Sequence, residues 1–208
     1  MIYLLSDKEH KEAKSLKTIE ICFVDKAISL EGFEAIVFTS KNSVEALERV
    51  GCDWKNIPSY AIGEGTALHV KKCEGNLVYT AESAYGDDFA KEIASLLVGK
   101  KVFFPRAKEV LSKFNTILTS FGVNLFELVV YETTCRDCDA IKAPEDGAIL
   151  IFTSPSTVKC FLKCFKWNES YRAVCIGTKT ATYLPSGVKS HISSIQTIDA
   201  CIELAKKL

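Results

Sequence analysis

Ile36-Val37-Phe38-Thr39-Ser40-Lys41-Asn42-Ser43-Val44 and Leu150-Ile151-Phe152-Thr153-Ser154-Pro155-Ser156-Thr157-Val158 are two versions of one phrase. Phe38 answers to Phe152, 114 positions further on. Ala61-Ile62-Gly63-Glu64-Gly65-Thr66-Ala67 answers to Cys175-Ile176-Gly177-Thr178-Lys179-Thr180-Ala181 at the same displacement. Two ungapped matches in one register mark an internal duplication. A weaker match sets Ile2-Tyr3-Leu4-Leu5 against Val102-Phe103-Phe104-Pro105, so the two copies begin near residues 1 and 101.

Each copy reads as strands alternating with helices. Short apolar runs suit strands buried on both faces: Ile2 to Leu5, Ile19 to Val24, Ala35 to Phe38, Tyr60 to Ile62 and Leu77 to Tyr79. The second copy offers Val102 to Phe104, Leu125 to Tyr131, Ile149 to Phe152, Ala173 to Ile176 and Val188 to Ile192. Phe89, Ile93, Leu96 and Leu97 trace one helical face, and Val110, Leu111, Phe114, Ile117, Leu118 and Phe121 trace another. Strands alternating with helices of this length build right-handed βαβ units. The expected fold is α/β, with ten strands divided between two flavodoxin-like domains with parallel sheets.

With 208 residues, 48% of them hydrophobic, the chain can bury a sizeable core and is too apolar for disorder. Its 26 basic and 26 acidic side chains cancel, whereas general nucleic-acid binding needs a basic stripe; no nucleic-acid partner is expected. Apolar runs such as Ala148 to Phe152 fall far short of the ~20 residues of a membrane span. The start, Met1-Ile2-Tyr3-Leu4-Leu5, turns charged at Asp7, Lys8 and Glu9 and lacks the basic opening and long apolar region of a secretory signal. A soluble, cytoplasmic protein is the expectation.

Nine cysteines are an odd number in a chain without an export signal, which favours reduced thiols. Cys135 and Cys138 form a CxxC whose only nearby partners for a zinc site are Cys160 and Cys164, spaced i,i+4 on an expected helix. A redox pair would open a helix directly after a strand, but Pro144 and Gly147 follow soon after. Incidental thiols and no metal site are expected.

Candidate chemistry lies where strands give way to helices, because ligands of open α/β sheets bind beyond strand carboxyl ends. Ser154 before Pro155 reads as an N-cap with proline at the first helical position, and Ser40 before Lys41 occupies the equivalent place. Thr66 and Thr180 follow strands ending in Ile-Gly. Such termini offer unpaired N–H groups and the positive end of a dipole, so each is a latent anion site, two in each copy. Simple capping is the plainer reading of each alone. Gly63-Glu64-Gly65-Thr66 opens like a dinucleotide fingerprint but lacks its third glycine, and Lys179 replaces Gly65 in the second copy. No GxxxxGK[ST], HExxH or GxSxG is present, and His10, His69 and His191 are scattered.

The ordered set of Phe38 to Asn42, Ala61 to Ala67, Phe104-Pro105-Arg106, Val130-Tyr131-Glu132-Thr133, Phe152 to Ser156 and Ile176 to Ala181 resembles the uroporphyrinogen-III synthase family along essentially the whole chain. That resemblance implies two flavodoxin-like domains joined by a two-stranded linker. One would combine residues 1–24 and 135–208 and the other would hold 25–134, with linker strands near Phe23 to Ala27 and Val129 to Thr133. It implies a cofactor-free lyase that takes hydroxymethylbilane, expels its hydroxyl as water, inverts ring D through a spiro intermediate and closes the macrocycle. Carried over by motif, Tyr131 is the candidate catalytic residue, assisting hydroxyl departure. Thr39, Ser40, Lys41, Gly63, Thr66, Arg106, Ser154, Pro155, Ser156, Gly177, Lys179 and Thr180 are candidate substrate contacts. Lys41 and Lys179 depart from the proline or small residue often found there and add positive charge. The family is generally monomeric, which implies a monomer; a transient contact with the preceding pathway enzyme stays open. The alternative is a non-enzymatic two-lobed module binding a small anion.

Overall fold

In the computed structural model, which describes residues 1–82, 85–110 and 112–208, the strand order explains how the duplicated sequence is used. The first copy runs β1 (Ile2–Leu5), β2 (Lys14–Ser15), β3 (Ile19–Phe23), β4 (Ala35–Phe38), α1 (Lys41–Arg49), β5 (Ser59–Ala61), α2 (Gly63–Lys72), β6 (Leu77–Thr80) and α3 (Gly86–Leu97). The second runs β7 (Lys101–Ala107), α4 (Phe114–Ser120), β8 (Asn124–Cys135), a 3₁₀ turn (Cys138–Ala140), β9 (Ile149–Phe152), α5 (Pro155–Cys164), β10 (Arg172–Cys175), α6 (Thr178–Ala181), β11 (Ser190–Ile192) and α7 (Ile198–Ala205).

These elements form two compact units. Unit 1 comprises Met1–Ile21 with Thr133–Leu208 and unit 2 comprises Cys22–Glu132. Unit 1 has a five-stranded sheet in the order β11-β10-β9-β1-β2, the flavodoxin-like order. Unit 2 has the order β6-β5-β4-β7-β8, with β3 beyond β8. Matching the copies (β1 to β7, β2 to β8, β9 to β4, β10 to β5, β11 to β6) makes the two orders identical. The chain leaves unit 1 within β3 and returns within β8, neighbours in the six-stranded sheet.

Burial follows the sequence pattern. All four residues of β4 are buried, Ala35 and Val37 toward α3 and α4, Ile36 and Phe38 toward α1 and Trp54. In β9, Leu150 and Phe152 pack on Val158 and Phe161 of α5, while Ile151 meets Cys201 and Ile202 of α7. Both faces of each sheet are therefore covered, as a parallel sheet requires. The pairings β1·β2, β1·β9, β9·β10, β10·β11, β4·β5, β4·β7, β5·β6 and β7·β8 are all parallel.

Four expectations need correction. The strand at Lys14–Ser15 is short and polar and adds an edge strand to the expected ten. β3 stops at Phe23, so Val24 to Ala27 is not strand, although Val24 N still donates to Val130 O at 3.0 Å. The helix expected from Val110 begins at Phe114, just after Lys113, whose N–H donates to the Asp87 carboxylate at 2.7 Å; Leu111 lies outside the described residues. The expectation of nine reduced thiols also fails. Two disulfides, Cys135–Cys160 and Cys138–Cys164, join segments 25 and 26 positions apart, and folding brings their Cα atoms to 5.1 and 5.0 Å. Cys22, Cys52, Cys73, Cys175 and Cys201 form no disulfide.

Candidate functional site: strand ends and helix amino termini

Register places the expected residues at matching sheet ends. In unit 1, Leu5, Phe152 and Cys175 are level, so Ser6, Thr153-Ser154 and Ile176-Gly177 leave the sheet together. In unit 2, Phe38, Ala61 and Thr80 are level, and Thr39-Ser40, Ile62-Gly63 and Ala81 follow them. Arg106 lies beyond this level on the adjacent β7.

The local chemistry differs from one terminus to the next. Ser40 caps α1, its hydroxyl accepting from Asn42 N at 3.1 Å. Ser154 caps α5 through a reciprocal box with Thr157, and Pro155 fills the first helical position as expected. Thr153 Oγ1 donates to Leu5 O at 2.8 Å and ties the start of this loop to β1. Thr66 and Thr180 do not cap. Both lie within the first turns of α2 and α6 and are buried, while the cap positions are Ile62 and Gly177. Gly63 opens α2 at φ +61°, a left-handed conformation that only glycine adopts without cost. α6 is a single turn because Pro185 follows where α2 continues through Ala67 to Lys72.

First-turn charge differs among the helices that leave the strands. α1, α5 and α6 carry no acid in their first turns, and Lys41 and Lys179 add cations to α1 and α6. α3 carries Asp87 and Asp88, and α7 carries Asp199, so their dipoles are answered internally. α2 is intermediate, with the exposed Glu64. Ser156, in the first turn of α5, is half-buried; Lys179 is exposed.

Tyr131 lies on β8 beside Ala107 of β7 and is 7% exposed, its ring 6.4 Å from that of Phe23. Its carbonyl accepts from Lys108 N at 2.9 Å. At about 4.8 Å per strand, Tyr131 is about 10 Å from the strand of Ser40 and about 14 Å from that of Gly63. Arg106 is already engaged: Nε donates to Glu127 at 2.6 Å and Nη1 to the carbonyls of Ala107 and Lys108. Any ligand carboxylate at Arg106 must compete with Glu127.

Sequence reasoning overlooked Ser6, Asp7 and Lys8, which leave β1 level with Thr153. Ser6 is buried and its hydroxyl accepts the Lys8 N–H at 3.1 Å. The available signal was their place after the first strand. A cavity of about 440 Å³ elsewhere in unit 1, lined by Lys14, Lys17, Arg136, Lys142 and Glu145, includes none of the expected residues.

The sequence profile of the family described as HEM4, uroporphyrinogen-III synthase HemD, matches residues 12–203. The chain belongs to the uroporphyrinogen-III synthase family. A crystal structure of uroporphyrinogen-III synthetase from Helicobacter pylori 26695 is 32% identical, with a TM-score of 0.84 over 99% of this chain and 98% of that one. A mutant uroporphyrinogen III synthase from the extremely thermophilic bacterium Thermus thermophilus, at 12% identity and a TM-score of 0.61 over 100% of this chain and 98% of its own, shares the fold. No curated protein is similar enough in sequence to count as a match. Within this family member, no described helix is long and apolar enough to cross a membrane.

Proposed function

We propose that the chain converts hydroxymethylbilane to uroporphyrinogen III, gripping the substrate's carboxylates at the helix amino termini after β4, β5, β9 and β10. The supporting observation is the acid-free first turns of α1, α5 and α6, set against the self-neutralised α3 and α7. A linear tetrapyrrole with eight carboxylates is flexible, so fixing its acidic groups at several points makes its two ends neighbours. Well-oriented intramolecular groups reach effective molarities of ~10⁵–10⁸ M.

In this reading Tyr131 donates a hydrogen bond, or its proton, to the departing hydroxyl, which leaves as water. The resulting azafulvene is attacked by ring D at its substituted position, giving the spiro intermediate. Reopening and reclosure then invert ring D and complete the macrocycle. Thr39, Ser40, Lys41, Gly63 and Thr66 in unit 2, and Ser154, Pro155, Ser156, Gly177, Lys179 and Thr180 in unit 1, supply amides, hydroxyls and charge. Arg106 contributes where a carboxylate displaces Glu127. The chain acts without a cofactor, as a cytoplasmic monomer that meets the preceding pathway enzyme transiently to receive its unstable substrate.

The test supplies freshly made hydroxymethylbilane and identifies the product isomer. Spontaneous closure gives the type I macrocycle. Predominant type III product is expected, and type I alone would overturn the reading in favour of a binding module.

A further inference from the structure

We propose that Cys135, Cys138, Cys160 and Cys164, once reduced, form a Zn²⁺ site, and that the paired disulfides are its oxidised, metal-free state. The inference is independent of the proposed reaction. With both bridges closed, no group of three or more His, Cys, Asp or Glu among the described residues is placed to hold a metal ion. Opening them changes that. Four thiols then converge from two pieces of backbone, a turn and a helix.

Cys135 ends β8 and Cys138 begins the 3₁₀ turn, a CxxC whose loop is shaped by Asp137 accepting the Asp139 N–H at 3.2 Å. Arg136 N donates to Thr18 O at 3.0 Å and anchors the turn to the chain that follows β2. Cys160 and Cys164 lie one turn apart on a single face of α5. The Cα atoms are 5.1 and 5.0 Å apart across the two pairs, and Cys160 and Cys164, at i,i+4 on α5, have Cβ atoms about 5–6 Å apart. Four cysteines at the corners of such a frame can turn their sulfurs inward. A tetrahedral Zn²⁺ with Zn–S bonds of about 2.3 Å needs sulfurs about 3.8 Å apart, which this frame admits without unfolding the turn or the helix. A CxxC and a helical CxxxC brought together in space are a far stronger signal than one CxxC in sequence.

The chemistry balances. Each bridge takes two electrons and two protons from a dithiol reductant, which is itself oxidised to a disulfide. Zn²⁺ then displaces the four thiol protons to solvent and binds four thiolates. A two-electron oxidant acting on each thiolate pair restores the two disulfides and expels the ion. The tetrathiolate complex carries two net negative charges, and Arg136, Lys159 and Lys163 adjoin the ligands in sequence.

The experiment uses the full chain, reduced under anaerobic conditions, loaded with Zn²⁺ and desalted. Expected are one Zn²⁺ per chain by elemental analysis and protection of the four cluster thiols from alkylation by mass-spectrometric mapping. A Co²⁺-loaded sample should show the intense visible bands of a tetrahedral tetrathiolate, and a thiol oxidant should release the metal. Cys138→Ser with Cys164→Ser should lose the bound metal, whereas Cys73→Ser, outside the cluster, should retain it. Failure of the reduced chain to retain metal would overturn the proposal, as would an octahedral Co²⁺ spectrum or metal held equally well by the double variant. If the double variant does not fold, the cobalt spectrum and alkylation map of the unaltered chain decide alone. None of these readouts depends on turnover.

Discussion

Unit 1 and unit 2 carry the same sheet order but assemble it from opposite halves of the sequence. In unit 1 the first two strands come from the first copy and the remaining three from the second; in unit 2 the sources are exchanged. A duplicated five-stranded sheet can be shared in this way because the cut falls after the second strand, where β3 and β8 carry the chain between units. Strand neighbours, and hence the level of the strand ends, survive the exchange. The same physical device, a helix amino terminus just beyond an inner strand, is therefore presented twice, but with different local chemistry. Unit 2 has the longer α2 with Gly63 at positive φ, whereas unit 1 has the one-turn α6, the boxed cap at Ser154 and both disulfides.

The largest expected effects test whether matched positions do matched work. Phe38 and Phe152 are fully buried counterparts, one against Trp54 at 5.3 Å between ring centroids and the other against Phe161 at 5.7 Å. Phe38→Ala and Phe152→Ala should each destabilise the chain by about 3–5 kcal/mol in denaturant titrations. A near-zero cost at either would break the equivalence.

Next comes the site. Tyr131→Phe should lower turnover by about 10²-fold without abolishing it, the low end of what a positioned proton donor supplies. Thr66→Ala and Thr180→Ala should each reduce kcat/KM by about 10-fold, equivalent to a hydrogen bond to a charged group. If all three left turnover unchanged in folded protein, the site would lie elsewhere.

Alkaline stability should sharpen the contrast in thiol burial. Burial, with a smaller contribution from Cys201, pushes the Cys175 thiol from 9.0 up to about 12. A raised thiol pKa means that the folded state keeps a proton the unfolded chain gives up. Stability from this group is therefore full below pH 9 and lost as pH rises toward 12. The melting temperature should fall across that window, and less steeply in Cys175→Val. The smallest effects concern caps: Ser40→Ala and Ser154→Ala should each cost about 1 kcal/mol.

Much of this architecture was legible in the sequence. Apolar runs at Ile2, Ala35 and Ile149 gave their strands because full burial on both sheet faces leaves no polar alternation to confuse them. β2 was illegible because Lys14 and Ser15 form an edge strand with one paired neighbour and no apolar run. The caps at Ser40 and Ser154 were readable since capping is local. The burial of Thr66 and Thr180 and the engagement of Arg106 by Glu127 depend on tertiary neighbours. The disulfides were missed for the same reason, since a separation of 25 positions carries no record of α5 packing beside the end of β8.

Amide-resolved NMR of the full chain, titrated with the stable oxidised form of the type III macrocycle, tests the central claim most directly. The account predicts shifts in both units, concentrated at residues 39–43, 63–66, 153–157 and 177–180 and absent from the first turns of α3 and α7. Shifts confined to one unit, or centred on the opposite ends of the strands, would contradict it.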